Sequence, residues 1–140
     1  MTPHLLLDTC AMIWLAGIAG RKEAVRVAAL IDAAFDDGQT IWVSPITAWE
    51  FGLLASKGRL AITVPVRTWL DNLMQTPGLK WADLSPDVLL ASNALPGQVQ
   101  GDPADRIIVA TAREFGMRVV TKDRLILDYA GQGHVMALEC

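Results

Sequence analysis

Four acidic residues stand where carboxylates can do chemistry: Asp8, Glu50, Asp105 and Asp123. Asp8 closes the short apolar run 4–7, and Asp123 follows closely on the β-branched stretch 118–121. Acids just past the carboxyl ends of strands lie where open α/β sheets bind their ligands. Asp105 occupies the third helical position after Asp102, a natural N-cap, and Pro103, which suits the first helical position. It shares a face with Ile108, Ala112 and Phe115, which predicts a carboxylate turned toward the core side. Glu50 has Ile46 at i-4, Leu53 at i+3 and Leu54 at i+4, an acid inside an apolar stripe, and glutamate is seldom buried without a partner.

Each acid also has an ordinary structural use. Asp8 and Asp123 can cap the helices that follow them, and Asp105 can answer a helix dipole or complete a capping box. Together they imply more. Four carboxylates meeting at one sheet edge would repel and take up protons unless a hard divalent cation joined them. Mg²⁺ or Mn²⁺ prefers carboxylate and water oxygen and suits sites shared with phosphate. Such an ion activates water and neutralises a departing oxygen, so the expected reaction is phosphodiester hydrolysis. Lys57, Arg59, Arg106, Lys122 and Arg124 lie near the acids in sequence and could hold flanking phosphates. Each is more often an ordinary solvated charge, and Arg106 could equally pair with Asp102 at i-4. A haloacid-dehalogenase-like phosphatase would need a second Asp two positions after Asp8, where the chain has Cys10. No histidine lies near the acids in sequence except His4, at the far end of the first strand.

The elements that must position these groups follow from periodicity and punctuation. Strands are expected over 4–7, 40–43, 80–84, 118–121 and 134–138. Helices are expected from Ala11, over 22–35, after Ser44-Pro45, over 65–74, from Ser85-Pro86 to about Ala94, over 103–115, and as a turn through Leu127 and Tyr129. In the 22–35 helix Val25, Ala28, Ala29, Leu30 and Ile31 supply the apolar side. Turns fall at 17–21 and 57–59, and a loop over 95–101 leads into the acid helix. Strands alternating with helices predict an α/β fold whose mainly parallel sheet is covered on both faces. Trp14, Trp42, Trp49, Trp69 and Trp81 could stack on bases, but their places in the elements favour core packing.

At 140 residues and 52% hydrophobic content, the chain is expected to form one domain with its own core. Its apolar runs fall short of the ~20 residues of a membrane span and it lacks a secretory signal, so the expected location is cytoplasmic. Cys10 and Cys140 lie far apart, which argues against a disulfide framework, and with His4 and His134 they do not make a zinc cluster. A net charge of -3 excludes binding to nucleic acid through bulk positive field alone. It does not exclude a nuclease that uses a metal.

The motifs Leu5-Leu6-Leu7-Asp8-Thr9, Ser44-Pro45-Ile46-Thr47-Ala48-Trp49-Glu50, Lys57-Gly58-Arg59-Leu60, Asp102-Pro103-Ala104-Asp105-Arg106-Ile107-Ile108-Val109-Ala110-Thr111-Ala112 and Val120-Thr121-Lys122-Asp123-Arg124 occur in an order that resembles the PIN-domain proteins of the VapC toxin type. The resemblance runs nearly end to end. It implies a three-layer α/β/α sandwich spanning 1–140 and Mg²⁺- or Mn²⁺-dependent cleavage of RNA. It also implies a homodimer and inhibition by a small VapB-type antitoxin covering the acidic groove. By position, Asp8, Glu50 and Asp105 would be the core acids and metal ligands, Asp123 the fourth, and Thr9 a polar helper. The chain departs from the pattern at Gln100-Gly101, where many relatives have His-Arg, and at Cys10, often a His. Two other readings stay open: a PIN fold kept as a non-catalytic protein-binding module, and a PIN nuclease of RNA processing outside any toxin system.

Overall fold

The computed structural model describes residues 3–18, 20–97 and 101–140. Ala19, in the expected 17–21 turn, and 98–100, in the loop before the acid helix, lie outside the described residues. The order is β1 (Leu5–Leu7), α1 (Thr9–Leu15), α2 (Arg21–Asp36), β2 (Ile41–Val43), α3 (Pro45–Ser56), α4 (Val66–Leu73), β3 (Leu79–Trp81), α5 (Pro86–Ala91), α6 (Pro103–Phe115), β4 (Arg118–Thr121), α7 (Arg124–Gly131) and β5 (Met136–Glu139). All strand pairs are parallel, in the order β3-β2-β1-β4-β5. The α/β expectation holds.

Alternation along β1 divides the core. Leu5 and Leu7 join Ile41, Val43, Leu79 and Val120 on one face, against Met12, Val27, Ile31, Phe51 and Leu70 of α1 to α4. Leu6 and Val119 face the other way, against Ile108, Val109, Ala112, Ile126 and Tyr129 of α6 and α7. A strand buried on both faces must be apolar throughout, which is why Leu5-Leu6-Leu7 carries no polar residue until its end.

From β1 the chain passes outward to β2 and β3, then returns to place β4 on the other side of β1. The order therefore reverses between β1 and β4, the crevice where α/β sheets take their ligands. Leu7 is level with Val120, so the next residues, Asp8 and Thr121, meet at the carboxyl edge.

Several expected burials are corrected. Phe115 is 45% exposed, because it ends α6 and lines a cavity of about 500 Å³ with Pro3, His4, Trp42 and Met117. On α2 the buried side is Val27, Ile31 and Ala34, and Val25 points to solvent. Trp49, Leu53 and Trp81 are also exposed; Trp14, Trp42 and Trp69 are partly buried. Apolar residues surround α3 on all sides, so its period does not reveal which side meets the core.

Gly78 sets up the edge strand. Its φ is +90°, its carbonyl accepts from the Ile41 amide at 2.9 Å, and a Cβ there would stand 2.8 Å from Ile41 Cδ1 and 3.0 Å from Phe35 Cδ2. Gly78→Ala should cost about 2–3 kcal/mol, combining left-handed strain with overpacking. Gly58→Ala, with φ +66° and open space around it, should cost only about 1 kcal/mol. Urea denaturation of both variants checks this, and equal losses would rule out crowding as the cause.

Candidate active site

Helix N-termini and carboxylates build this site together. Asp8 caps α1, its Oδ1 accepting from the Ala11 amide at 2.8 Å. Asp102 caps α6 through the Asp105 amide at 2.8 Å, and Asp123 caps α7 through Leu125 and Ile126 at 2.8 and 3.2 Å. The structural use of these acids is real, and it orients them: one oxygen of each carboxylate is tied to a helix start. Asp105 differs. Its side chain makes no hydrogen bond among the described residues, so it completes no capping box, and its Oδ2 lies against Gly101.

Hydroxyls hold what the amides do not. Thr121 is fully buried at the end of β4; it donates to Asp8 Oδ2 and accepts from the Asp123 amide at 2.9 Å, joining the two acids that flank the switch point. Thr9 donates to Glu50 Oε1, and its oxygen lies 3.1 Å from Thr47 Oγ1. Thr9, expected as a helper beside Asp8, therefore serves Glu50 on another helix. Thr121 and Thr47 are additions to the sequence-predicted set. Their signal was a polar residue in the last place of a buried strand, and another one turn before a half-buried glutamate.

The charges reach one another. Burial pushes Asp8 up to about 6, with Asp123 and Glu50 adding to it and hydrogen bonds from Thr121 and Ala11 opposing it. Burial also pushes Asp105 up to about 7, helped by the charges of Asp102, Asp123, Glu50 and Asp8. Glu50 is raised by burial against the Thr9 hydrogen bond. Partial burial, and after it all four acids, push the Cys10 thiol up to about 12, although the residue as a whole stays exposed. Cys10 is thus a neutral thiol at neutral pH, unsuited to act as a base or anionic ligand.

The expected cations do not neutralise these acids. Lys122 pairs with Glu23 at 3.1 Å and lies 5.8 Å from the Trp14 ring centre, while Arg124 pairs with Glu139 at 3.4 Å. Lys57 and Arg59 are exposed beyond the end of α3, and Arg106 is half-buried without an Asp102 ion pair among the described residues. Also among the described residues, no three His, Cys, Asp or Glu side chains are drawn into a ready-made ligand set. The acids act on one another through their charge without being drawn into a closed shell. That donor chemistry fits Mg²⁺ or Mn²⁺, which bind hard oxygen; Mg²⁺ in particular keeps several waters and takes only one or two carboxylates directly.

Residues 5–132 match the PIN domain. The chain belongs to the PIN-domain family. It is 34% identical over 120 residues to Ribonuclease VapC22 of Mycobacterium tuberculosis, covering 86% of this chain and 87% of that protein. Among solved structures it resembles a chain of VapBC2 from Rickettsia felis bound to a DNA fragment from their promoter, with TM-score 0.69 and 16% identity over 96% of this chain and 97% of that one. DNA-bound VapBC from Salmonella typhimurium gives TM-score 0.67 and 16% identity, over 99% and 98% of the two chains. These two likenesses concern the fold.

The raised acids of this PIN domain make its stability depend on pH. Folded-state values of about 6 and 7 lie above the ordinary 3.8, so the fold holds these protons more tightly than the unfolded chain does. That contribution is full below about pH 4 and is lost as the pH rises through about 6 and 7. Raising Asp105 from 3.8 to about 7 corresponds to about 4 kcal/mol, and solvent screening of this half-buried group reduces it to ~1–2 kcal/mol. In chelator, Asp105→Asn should be more stable than wild type by that amount at pH 8 and equal to it near pH 4. Denaturation at both pH values reads this directly; a pH-independent difference would contradict the raised Asp105.

Proposed function

We propose that this PIN-domain chain is a Mg²⁺- or Mn²⁺-dependent endoribonuclease of the VapC type, acting in the cytoplasm as the toxin of a type II toxin-antitoxin system. The observation that supports the reading is that the charges of Asp8, Glu50 and Asp123 all raise Asp105, with none of these acids in an ion pair with a protein cation among the described residues, in a parallel sheet whose order reverses between β1 and β4. The likeness to Ribonuclease VapC22 supports RNA as the substrate.

Asp8, Glu50, Asp105 and Asp123 are the residues that would hold the cation. When bound, a divalent cation supplies the positive charge that offsets them, activates water and stabilises the phosphate oxygens. The chain's own part is orientation. Asp8 and Asp123 are aimed by α1, α7 and Thr121, and Glu50 by Thr9. The starts of α1, α6 and α7 add partial positive charge beside the acids, which favours an approaching phosphate. Arg106, half-buried on the first turn of α6, is the cation best placed to steady it; Lys57 and Arg59 would meet more distant phosphates, and Lys122 and Arg124 would first have to leave Glu23 and Glu139.

The partners follow from the same surface. Trp49 and Leu53 are exposed one turn apart on α3, and Trp49 adjoins Glu50. A VapB-type antitoxin covering this apolar strip would also cover the acids, and the solved VapBC complexes of the same fold support that partner. A homodimer belongs to the same reading.

Purified protein should cleave RNA in Mg²⁺ or Mn²⁺ and stop in chelator. Asp8→Asn keeps a capable N-cap, so it should fold normally yet cleave roughly 100-fold or more slowly. Fragment analysis on total RNA measures this. Undiminished cleavage by Asp8→Asn would remove Asp8 from the catalytic set, and no Mn²⁺ uptake in calorimetric titration of wild type would instead favour a non-catalytic binding module.

A further inference from the structure

We infer that Thr47 is a positioning residue for Glu50, acting through Thr9 as the start of a one-way chain of hydroxyl donors. The inference rests on the metal-nuclease reading above and adds a residue to it.

The direction of the chain follows from proton counting. A threonine hydroxyl has one proton to donate and two lone pairs to accept with. Thr9 gives its proton to Glu50 Oε1. At the 3.1 Å contact between Thr9 and Thr47, either oxygen could be the donor by distance alone, but the Thr9 proton is already committed. Thr47 must therefore donate to Thr9, and the order is Thr47 to Thr9 to Glu50. Each donor polarises the next, so the chain strengthens the hold on an ionised carboxylate more than Thr9 alone would.

The placement supports the role. Thr47 is fully buried, in the first turn of α3, three residues before Glu50. Residues three apart share a helix face, so Thr47 and Glu50 both present to the start of α1, where Thr9 sits. A buried hydroxyl needs a partner, and among the described residues no buried side-chain polar atom lacks one. Thr47 cannot reach solvent, so it does not touch substrate. Its hydroxyl instead links α3 to α1 and fixes one rotamer of a carboxylate that stands among like charges.

The test is Mn²⁺ affinity, measured by calorimetry on the full chain, alongside RNA cleavage. Thr47→Val keeps the shape and removes the donor; it should weaken Mn²⁺ binding by roughly 10-fold, the low end for groups behind the ligands. Thr47→Ser restores the donor and should bind within about 2-fold of wild type. Thr111→Val is the control, since the buried Thr111 hydroxyl donates only to the Ile107 carbonyl on α6; its Mn²⁺ affinity should be unchanged. Should Thr47→Val not fold, Thr47→Ala against Thr47→Ser carries the same contrast. Wild-type affinity in the folded Val or Ala variant, or an equal loss in Ser and Val, overturns the relay while leaving the nuclease reading in place. A wild type that takes up no Mn²⁺ at millimolar concentration overturns both.

Discussion

Crowded negative charge at the carboxyl edge of a parallel sheet is the constraint around which this chain is arranged. Desolvation raises Asp8, Glu50 and Asp105, and their mutual repulsion raises Asp8 and Asp105 further. The fold tolerates that because it places partial positive charge beside them: α1, α6 and α7 all start at acids, and the caps at Asp8, Asp102 and Asp123 use the amides there. Capping and chemistry are usually weighed as rival explanations of an acid at a helix start. In this PIN domain the first would serve the proposed second, because a carboxylate tied by one oxygen to a helix keeps its direction.

The sheet order decides where the crowding occurs. With β1 and β4 adjacent and the chain leaving them in opposite directions, two strand ends release Asp8 and Asp123 into one crevice. The register that levels Leu7 with Val120 brings Thr121 beside Asp8, and a buried hydroxyl then spans the gap. α3 and α6 bring Glu50 and Asp105 to the same edge from opposite faces of the sheet.

Much of this was legible in the sequence, for reasons that differ by element. Ser44-Pro45, Ser85-Pro86 and Asp102-Pro103 announce helix starts by local chemistry alone, and Gly116 at φ +64° ends α6 as expected. The order of strands and helices followed from their alternation. What periodicity could not supply was phase. Val25 and Val27 look alike on paper, yet only Val27 meets the core; Trp49 and Leu53 sit on a helix apolar all round, so nothing local says which side the sheet will cover. Phe115 follows the spacing of Ile108 and Ala112, but by the last residue of α6 the side chain borders the cavity beside Trp42 rather than the core. The acids could be named from the sequence, and Thr9 as a helper beside Asp8, while its pairing with Glu50 and the hydroxyls of Thr47 and Thr121 were hidden. Thr9 and Glu50 are far apart in the chain, as are Asp8 and Thr121, and no spacing rule pairs them.

The choice of hydroxyls has a physical logic of its own. A lysine or arginine set against Asp8 or Glu50 would fix its direction, but it would also cancel the charge that an outside cation needs. Threonine donates one hydrogen bond, carries no charge, and is held by its branched side chain in few rotamers. Asp8 and Glu50 are thus aimed by neutral groups, and the nearby cations Lys122 and Arg124 are engaged with Glu23 and Glu139 instead. Cys10 fits the same pattern, since a thiol pushed up to about 12 stays uncharged beside the acids. The site is built to be oriented without being neutralised. On the proposed nuclease reading, that would leave its negative charge available to a metal ion and to the phosphates such an ion would bring with it.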